Sequence, residues 1–251
     1  MRLIQDEKEA SKKYELEVEE INCNGKEKVK IVKLTSDNVA RVEAMIKTGF
    51  GDNDPENKKL STFWLIQLKE IIDSEDERSK DGFSYECIME KLIKTIDKEN
   101  RTHLNSDTKG FDNVKQRVVD IKRKELKQYL EDPGDEYELI NIIQTPEKEG
   151  EKCHFSFATK FCHYVCLCLF EGTEAEDRFS IYDGVLKKTL PRYIKKYLGE
   201  DVKEKEYENN YHKYIKYIDR IRDKASEIEA CGKISRNGFD QLLWYYHRVR
   251  N

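Results

Sequence analysis

Lys160 stands in the stretch Cys153-His154-Phe155-Ser156-Phe157-Ala158-Thr159-Lys160-Phe161-Cys162-His163, near the start of the least polar run of the chain. A lysine that loses solvent there favours its neutral amine, which is the nucleophilic form. Downstream, Asp183 lies in Arg178-Phe179-Ser180-Ile181-Tyr182-Asp183-Gly184-Val185, a carboxylate among apolar residues where a helix can begin. The unpaired amides of a helix N-terminus favour a negative charge at such a place. Directly after it come Lys187, Lys188, Arg192, Lys195 and Lys196, with no acid between residues 184 and 196, so that the segment carries +5. An amine nucleophile, a held carboxylate and a phosphate-binding face are the parts that excision of a base from DNA requires. The same residues also fit plainer roles. Lys160 can cover a helix end with its stem while its head reaches water, Asp183 can be an ordinary helix cap, and the basic segment can be a solvated face.

Other residue types with chemical potential read as packing. Cys162, Cys166 and Cys168 crowd one apolar run beside His163 and near His154, and Cys162 and Cys166 are one helical turn apart. A structural zinc site needs a second Cys or His pair from another element, and none is spaced for it. Buried free cysteine is common in cores, so core packing is the expected role and no metal is implied. An iron-sulfur cluster would need four spaced cysteines toward the C-terminus, where only Cys231 lies. Trp64 and Trp244 stand among apolar neighbours at helical spacing, and the run Tyr207, Tyr211, Tyr214, Tyr217 has the look of a stripe packed on a neighbouring helix. His103, His212 and His247 are isolated.

The elements that must position these residues are mainly helical. In 251 residues there are only 4 Pro and 12 Gly, while aromatics make up 10% and argue against wholesale disorder. Charged residues reach 38% and the net charge is -4, yet residues 112–127 hold six bases against three acids, a second local basic face. Association with a polyanion depends on the field at the docking surface, so the acidic balance does not exclude one. The longest uncharged stretch, residues 161–170, is too short to span a bilayer. The first twenty residues hold seven acids and four bases, unlike a secretory signal, and seven Cys with no framework spacing read as reduced thiols in a cytoplasmic protein.

Along the chain, Tyr14, Leu16 and Val18 alternate with glutamates, Asn22-Cys23-Asn24-Gly25 supplies a turn, and Val29, Ile31 and Val32 follow among lysines, which predicts a β-hairpin within residues 1–35. Helices are predicted from the Ser36-Asp37 cap, at 61–72, at 85–96, as one long basic helix at 114–130, and at 137–143. Residues 49–55 and 100–110 read as loops, and Asp132-Pro133-Gly134 as a stop. The central buried helix is predicted at 155–170, followed by helices at 181–198, 207–228 and 239–249. The expected organisation is a small N-terminal β-hairpin, residues 1–35, and a helical domain, residues 36–251.

Over roughly residues 137–250 the sequence resembles the helix-hairpin-helix superfamily of DNA glycosylases, in particular its 8-oxoguanine DNA glycosylase-fold branch. The resemblance lies in Ser156-Phe157-Ala158-Thr159-Lys160 followed by Ile181-Tyr182-Asp183, 23 positions from Lys160 to Asp183, and in Phe239-Asp240-Gln241-Leu242-Leu243-Trp244-Tyr245-Tyr246 as a closing helix. It departs from the family where a Gly-x-Gly pair ordinarily precedes the lysine: Glu149-Gly150-Glu151-Lys152-Cys153-His154-Phe155 has one Gly. The resemblance implies a mainly α, DNA-glycosylase-like domain that flips a modified base out of the stack and excises it, leaving an abasic site. In this mechanism Lys160 attacks the sugar C1′ and Asp183 stabilises the oxocarbenium-like sugar. Lys187, Lys188, Arg192, Lys195 and Lys196 would hold phosphates. Phe63, Trp64, Trp244 and Tyr245 would stack on the flipped base, and Gln67 and Gln241 would read its edge. No cofactor, metal or membrane is implied, and a monomer is expected. The branch implies an oxidised purine as substrate; divergence of the first 130 residues leaves a hypermodified viral base, excised in anti-phage defence, as the other expectation. Two further readings use the same residues: an inactive DNA-binding module, and a helical protein-interaction factor.

Overall fold

The computed structural model describes residues 16–23, 27–47, 60–74, 76–104, 108–145 and 153–249. The fold is mainly α-helical with a small two-stranded antiparallel hairpin near the N-terminus, as the spacing of apolar residues and turns predicts. Tyr14, the turn residues Asn24-Gly25 and the predicted loop at 49–55 lie outside the described residues. No described helix is long and apolar enough to cross a membrane. The chain forms two compact units, residues 1–54 with 183–251, and residues 55–182. The hairpin belongs to the first of these units, together with the C-terminal helices.

In the first unit, β1 (Val18–Cys23) pairs antiparallel with β2 (Glu27–Val32), with Val18 opposite Val32. The hairpin is held from three sides by side chains that satisfy its backbone. The buried Asn38 amide accepts from Glu17 N–H at 2.9 Å and donates to Glu17 and Lys33 carbonyls at 3.0 and 2.9 Å. Tyr193 Oη accepts from Val32 N–H at 3.3 Å, and Tyr197 Oη accepts from Leu34 N–H at 3.2 Å. Helix α1 (Ser36–Lys47) starts one residue before the expected pattern, and Thr35 Oγ1 takes the Asn38 N–H at 3.2 Å in the capping role assigned to Ser36-Asp37.

The helix expected from residue 181 begins only at Gly184. Helix α8 (Gly184–Tyr193) runs on as a π-helical turn, Ile194–Leu198, and stops at Gly199, whose φ of 72° suits glycine. Pro191 inside α8 has no N–H to give the Lys187 carbonyl, and Tyr207 Oη donates to that carbonyl at 3.3 Å instead. Helix α9 (Tyr211–Ile228) starts four residues later than expected, with Asn210 as its cap. Tyr207, Tyr211 and Tyr214 are fully buried, in keeping with a packing stripe. Helix α10 (Arg236–Trp244) is capped by Ser235 and also ends in a π-helical turn, Tyr245–Val249. It lies so close to α1 that a Cβ on Gly238 would stand 2.8 Å from Val39 Cγ1.

The second unit holds α2 (Leu60–Asp73), α3 (Tyr85–Asn100), α4 (Thr108–Asp120), α5 (Arg123–Glu131), α6 (Glu138–Gln144) and α7 (Phe155–Leu169). Helix α7 is the buried centre, packed by α2, α3, α5 and α6. One expectation fails here: residues 114–130 are not one helix. The chain breaks at Ile121-Lys122, where Ile121 is buried and its carbonyl accepts from Tyr85 Oη at 3.0 Å. Lys122 caps α5, its N–H donating to Glu125 at 3.3 Å, and Arg123 Nη1 donates to the Ile71 and Asp76 carbonyls at 2.8 and 2.5 Å. An apolar period running through the break hides it, because the partners that cause it come from α3 and the end of α2. The 100–110 loop gives way to helix at Thr108; residues 105–107 lie outside the described residues.

Candidate functional site

Lys160 sits in the second turn of α7 and is only 7% exposed. Its side chain runs back toward the helix N-terminus, as long side chains on helices do, and Nζ donates to Ser156 Oγ at 3.3 Å. The amine is thereby carried to the positive end of α7, whose first turn contains no acid. The neighbouring residues fix the backbone: Thr159 Oγ1 donates to the Ser156 carbonyl at 3.2 Å and accepts from Tyr182 N–H at 3.1 Å. The Phe155 and Tyr182 rings lie 4.6 Å apart. One turn on, the buried His163 has Nδ1 2.8 Å from the Phe179 carbonyl, and burial lowers its pKa below the ordinary histidine value. A neutral imidazole donating from Nδ1 satisfies that carbonyl.

Asp183 opens α8 in the other unit. It is 9% exposed and extended in backbone, and Oδ1 accepts from Val185 N–H at 2.8 Å and Leu186 N–H at 2.9 Å. One oxygen makes the whole cap, so Oδ2 stands outside it.

The basic segment after Asp183 is less bare in space than in sequence. Lys187 pairs with Glu204 at 2.7 Å and Glu208 at 2.5 Å, Lys195 with Asp201 at 2.7 Å, and Lys196 with Glu19. Among the described residues Lys188 and Arg192 form no ion pair. The segment 112–127 is similarly used: Lys115 pairs with Glu90 at 3.0 Å, Lys127 with Asp73 at 3.0 Å, and Arg117 donates to the Ile143 carbonyl at 3.0 Å.

The residues expected to line a base pocket form two local groups. In the second unit Phe63 is 41% exposed, Trp64 is half-buried, and with Phe83 they make an edge-to-face cluster, Phe63–Trp64 at 4.9 Å and Trp64–Phe83 at 5.1 Å. Phe83 was not legible as part of it, since it comes from the loop before α3. Gln67 does not present a free edge: it is buried, accepting from Ser79 Oγ at 2.6 Å and donating to Asp81 at 2.8 Å, and so holds that loop. In the first unit Trp244 is 38% exposed with the Arg248 guanidinium 4.9 Å from its ring centre, while Tyr245 is buried and Gln241 donates to Asn237 at 3.1 Å. Of the stretch Glu149-Gly150-Glu151-Lys152-Cys153-His154-Phe155, positions 149–152 lie outside the described residues.

Two of the three clustered cysteines pack in the core as expected, and Cys168 is half-buried. Cys162 and Cys166 are buried, Cys166 Sγ donates to the Ala175 carbonyl at 3.0 Å, and burial pushes its thiol up to about 12. A sequence reading passes over Ser156, although its spacing of four from Lys160 is the signal that it shares a helix face with the amine. No family model, curated protein or solved structure matches the chain.

Proposed function

We propose that this protein is a DNA glycosylase of the helix-hairpin-helix type, which excises a modified base through Lys160 and Asp183. The observation that supports the reading most is the Lys160 amine, buried, turned to the N-terminal end of α7 and hydrogen-bonded to the Ser156 hydroxyl. In this reading the target nucleotide leaves the stack. Lys160 Nζ forms a bond to C1′ as the glycosidic bond breaks and the base departs with the electron pair. Asp183, through the oxygen not used by the cap, offsets positive charge on the sugar and receives the proton lost by the amine. The Schiff base that follows ring opening is resolved by water, or by β-elimination that nicks the strand. Lys188 and Arg192 are the bases available to phosphate without breaking an ion pair. The substrate is an oxidised purine or a hypermodified base of viral DNA.

The test is an alkali-cleavage assay on duplexes that each carry one modified base. Cleavage at that base by the wild type, lost in Lys160→Ala and Asp183→Asn, is the expected outcome; no cleavage on any oxidised or hypermodified duplex would remove the reading. One observation favours a second reading, a helical interaction factor without chemistry: the ion pairs of Lys187, Lys195 and Lys196, which leave little of the basic segment uncompensated. That reading expects no salt-dependent DNA binding.

A further inference from the structure

Helix α3 buries Ile88, Met89, Leu92, Ile93 and Ile96, and the helical period turns the opposite face outward. That face carries Lys91, Lys94 and Lys98, all exposed, spaced by three and four residues over ~10 Å of helix axis. Arg101 follows at the C-cap, also exposed. Two acids of the same region are engaged away from the stripe, and a third, Glu90, pairs with one of its lysines. Asp97 is buried, and its Oδ1 accepts from Leu104 N–H at 2.8 Å and from the Thr102 hydroxyl. Glu99 accepts from Ser61 N–H at 3.1 Å and from the Ser61 hydroxyl. Glu90 is shared between Lys94 at 2.6 Å and Lys115 at 3.0 Å. Among the described residues Lys91, Lys98 and Arg101 form no ion pair.

The turn after α3 is built rather than slack. Arg101 and His103 both adopt left-handed backbone conformations, φ 50° and 60°, which residues with a Cβ keep only where their surroundings hold them. Asp97 and the bond from Tyr164 Oη to Asn100 Oδ1, 2.8 Å, hold that end of the helix in place. Attraction to the helix C-terminus accounts for cations in the last turn, but Lys91 and Lys94 lie further back.

We propose that this stripe, Lys91, Lys94, Lys98 and Arg101, is a docking surface for the phosphate backbone of duplex DNA, apart from the basic segment after Asp183. Charge complementarity calls for a polyanion, and over ~10 Å a duplex strand presents about three phosphates, one per 3.4 Å. The proposal rests on the glycosylase reading only for its choice of DNA as the polyanion. It is tested by binding of the full chain to an undamaged duplex over a range of salt, comparing wild type with Lys91→Gln/Lys98→Gln/Arg101→Gln. Glutamine keeps helix propensity at Lys91 and Lys98 and removes the charge at all three positions. The variant should bind more weakly, and the slope of log K against log salt should flatten by about 0.9 for each phosphate no longer neutralised. Lys127→Gln, which removes a lysine paired with Asp73, should leave the slope near the wild-type value. An unchanged slope in the triple variant, or a wild type that does not bind duplex, would overturn the proposal. Because the duplex is undamaged, binding is read apart from excision. A protein that binds through the stripe but excises nothing keeps this surface and loses the proposed chemistry; normal excision with an unchanged slope does the reverse.

Discussion

Both hydrogen bonds of the α8 cap fall on Asp183 Oδ1, which separates what this carboxylate does for the helix from what it is proposed to do for a substrate. Asp183→Asn keeps an oxygen for the cap, so thermal denaturation should show it within a few tenths of a kcal/mol of wild type, while Asp183→Ala should lose ~1 kcal/mol. Excision should fail in both; an Asn variant with full activity would reduce Asp183 to a cap. For Lys160 the companion residue is Ser156. Ser156→Ala should slow Schiff-base formation up to about tenfold, as expected for loss of a hydrogen bond of ~1 kcal/mol, and Ser156→Thr should restore it. Equal rates in Ala and Thr variants would leave Ser156 no part in the chemistry. For single residues the sequence shows types but not their engagements. Lys160 and Asp183 are identifiable because an apolar run and a helix start surround them. Gln67 and Tyr245 are not, because an amide used by Ser79 and Asp81 and a buried ring look the same in sequence as free ones.

Among the elements, the sequence is most legible where apolar residues recur at helical spacing, as in α2 and α3, or fill a whole helix, as in the buried α7. It is least legible where an interruption depends on residues from elsewhere. The break between α4 and α5 follows from Tyr85 and the end of α2, and the persistence of α8 past Pro191 follows from Tyr207, sixteen residues further on. Tyr207→Phe should therefore leave the Lys187 carbonyl without its donor and cost ~1–3 kcal/mol by chemical denaturation. Gly238→Ala should cost a similar ~1–3 kcal/mol, since its Cβ must displace Val39 between α10 and α1; no loss of stability would contradict the close approach. The π-helical turns bring Tyr193 Oη within 3.0 Å of His247 Nε2. Burial, with Arg192 nearby, lowers the pKa of His247 from the ordinary 6.5 to about 4. The unfolded chain thus takes up this proton first, so its contribution to stability is full above pH 6.5 and is lost as pH falls toward 4. His247→Gln should flatten the fall of Tm over that interval.

For the molecule as a whole, charge is the quantity that sequence order represents least well. The run 184–196 carries five bases and no acid, yet Glu19, Asp201, Glu204 and Glu208 meet three of them in the fold. Glu19 stands 177 positions from Lys196, beyond any local window. A surface pair such as Lys195–Asp201 contributes about 0–1 kcal/mol to stability, but the pairs together set which cations are available to a polyanion. Charge reversal at Lys188 and Arg192 should weaken duplex binding without unfolding. The same change at Lys187 sets a third acid against Glu204 and Glu208 and should lower Tm as well. The proposed chemistry turns on the amine of Lys160. Borohydride added during reaction with a duplex bearing an excisable modified base should trap the wild-type chain covalently on DNA, and Lys160→Ala should give no adduct. An adduct that survives in Lys160→Ala, or excision by the wild type with no adduct at any borohydride concentration, would contradict Lys160 as the nucleophile.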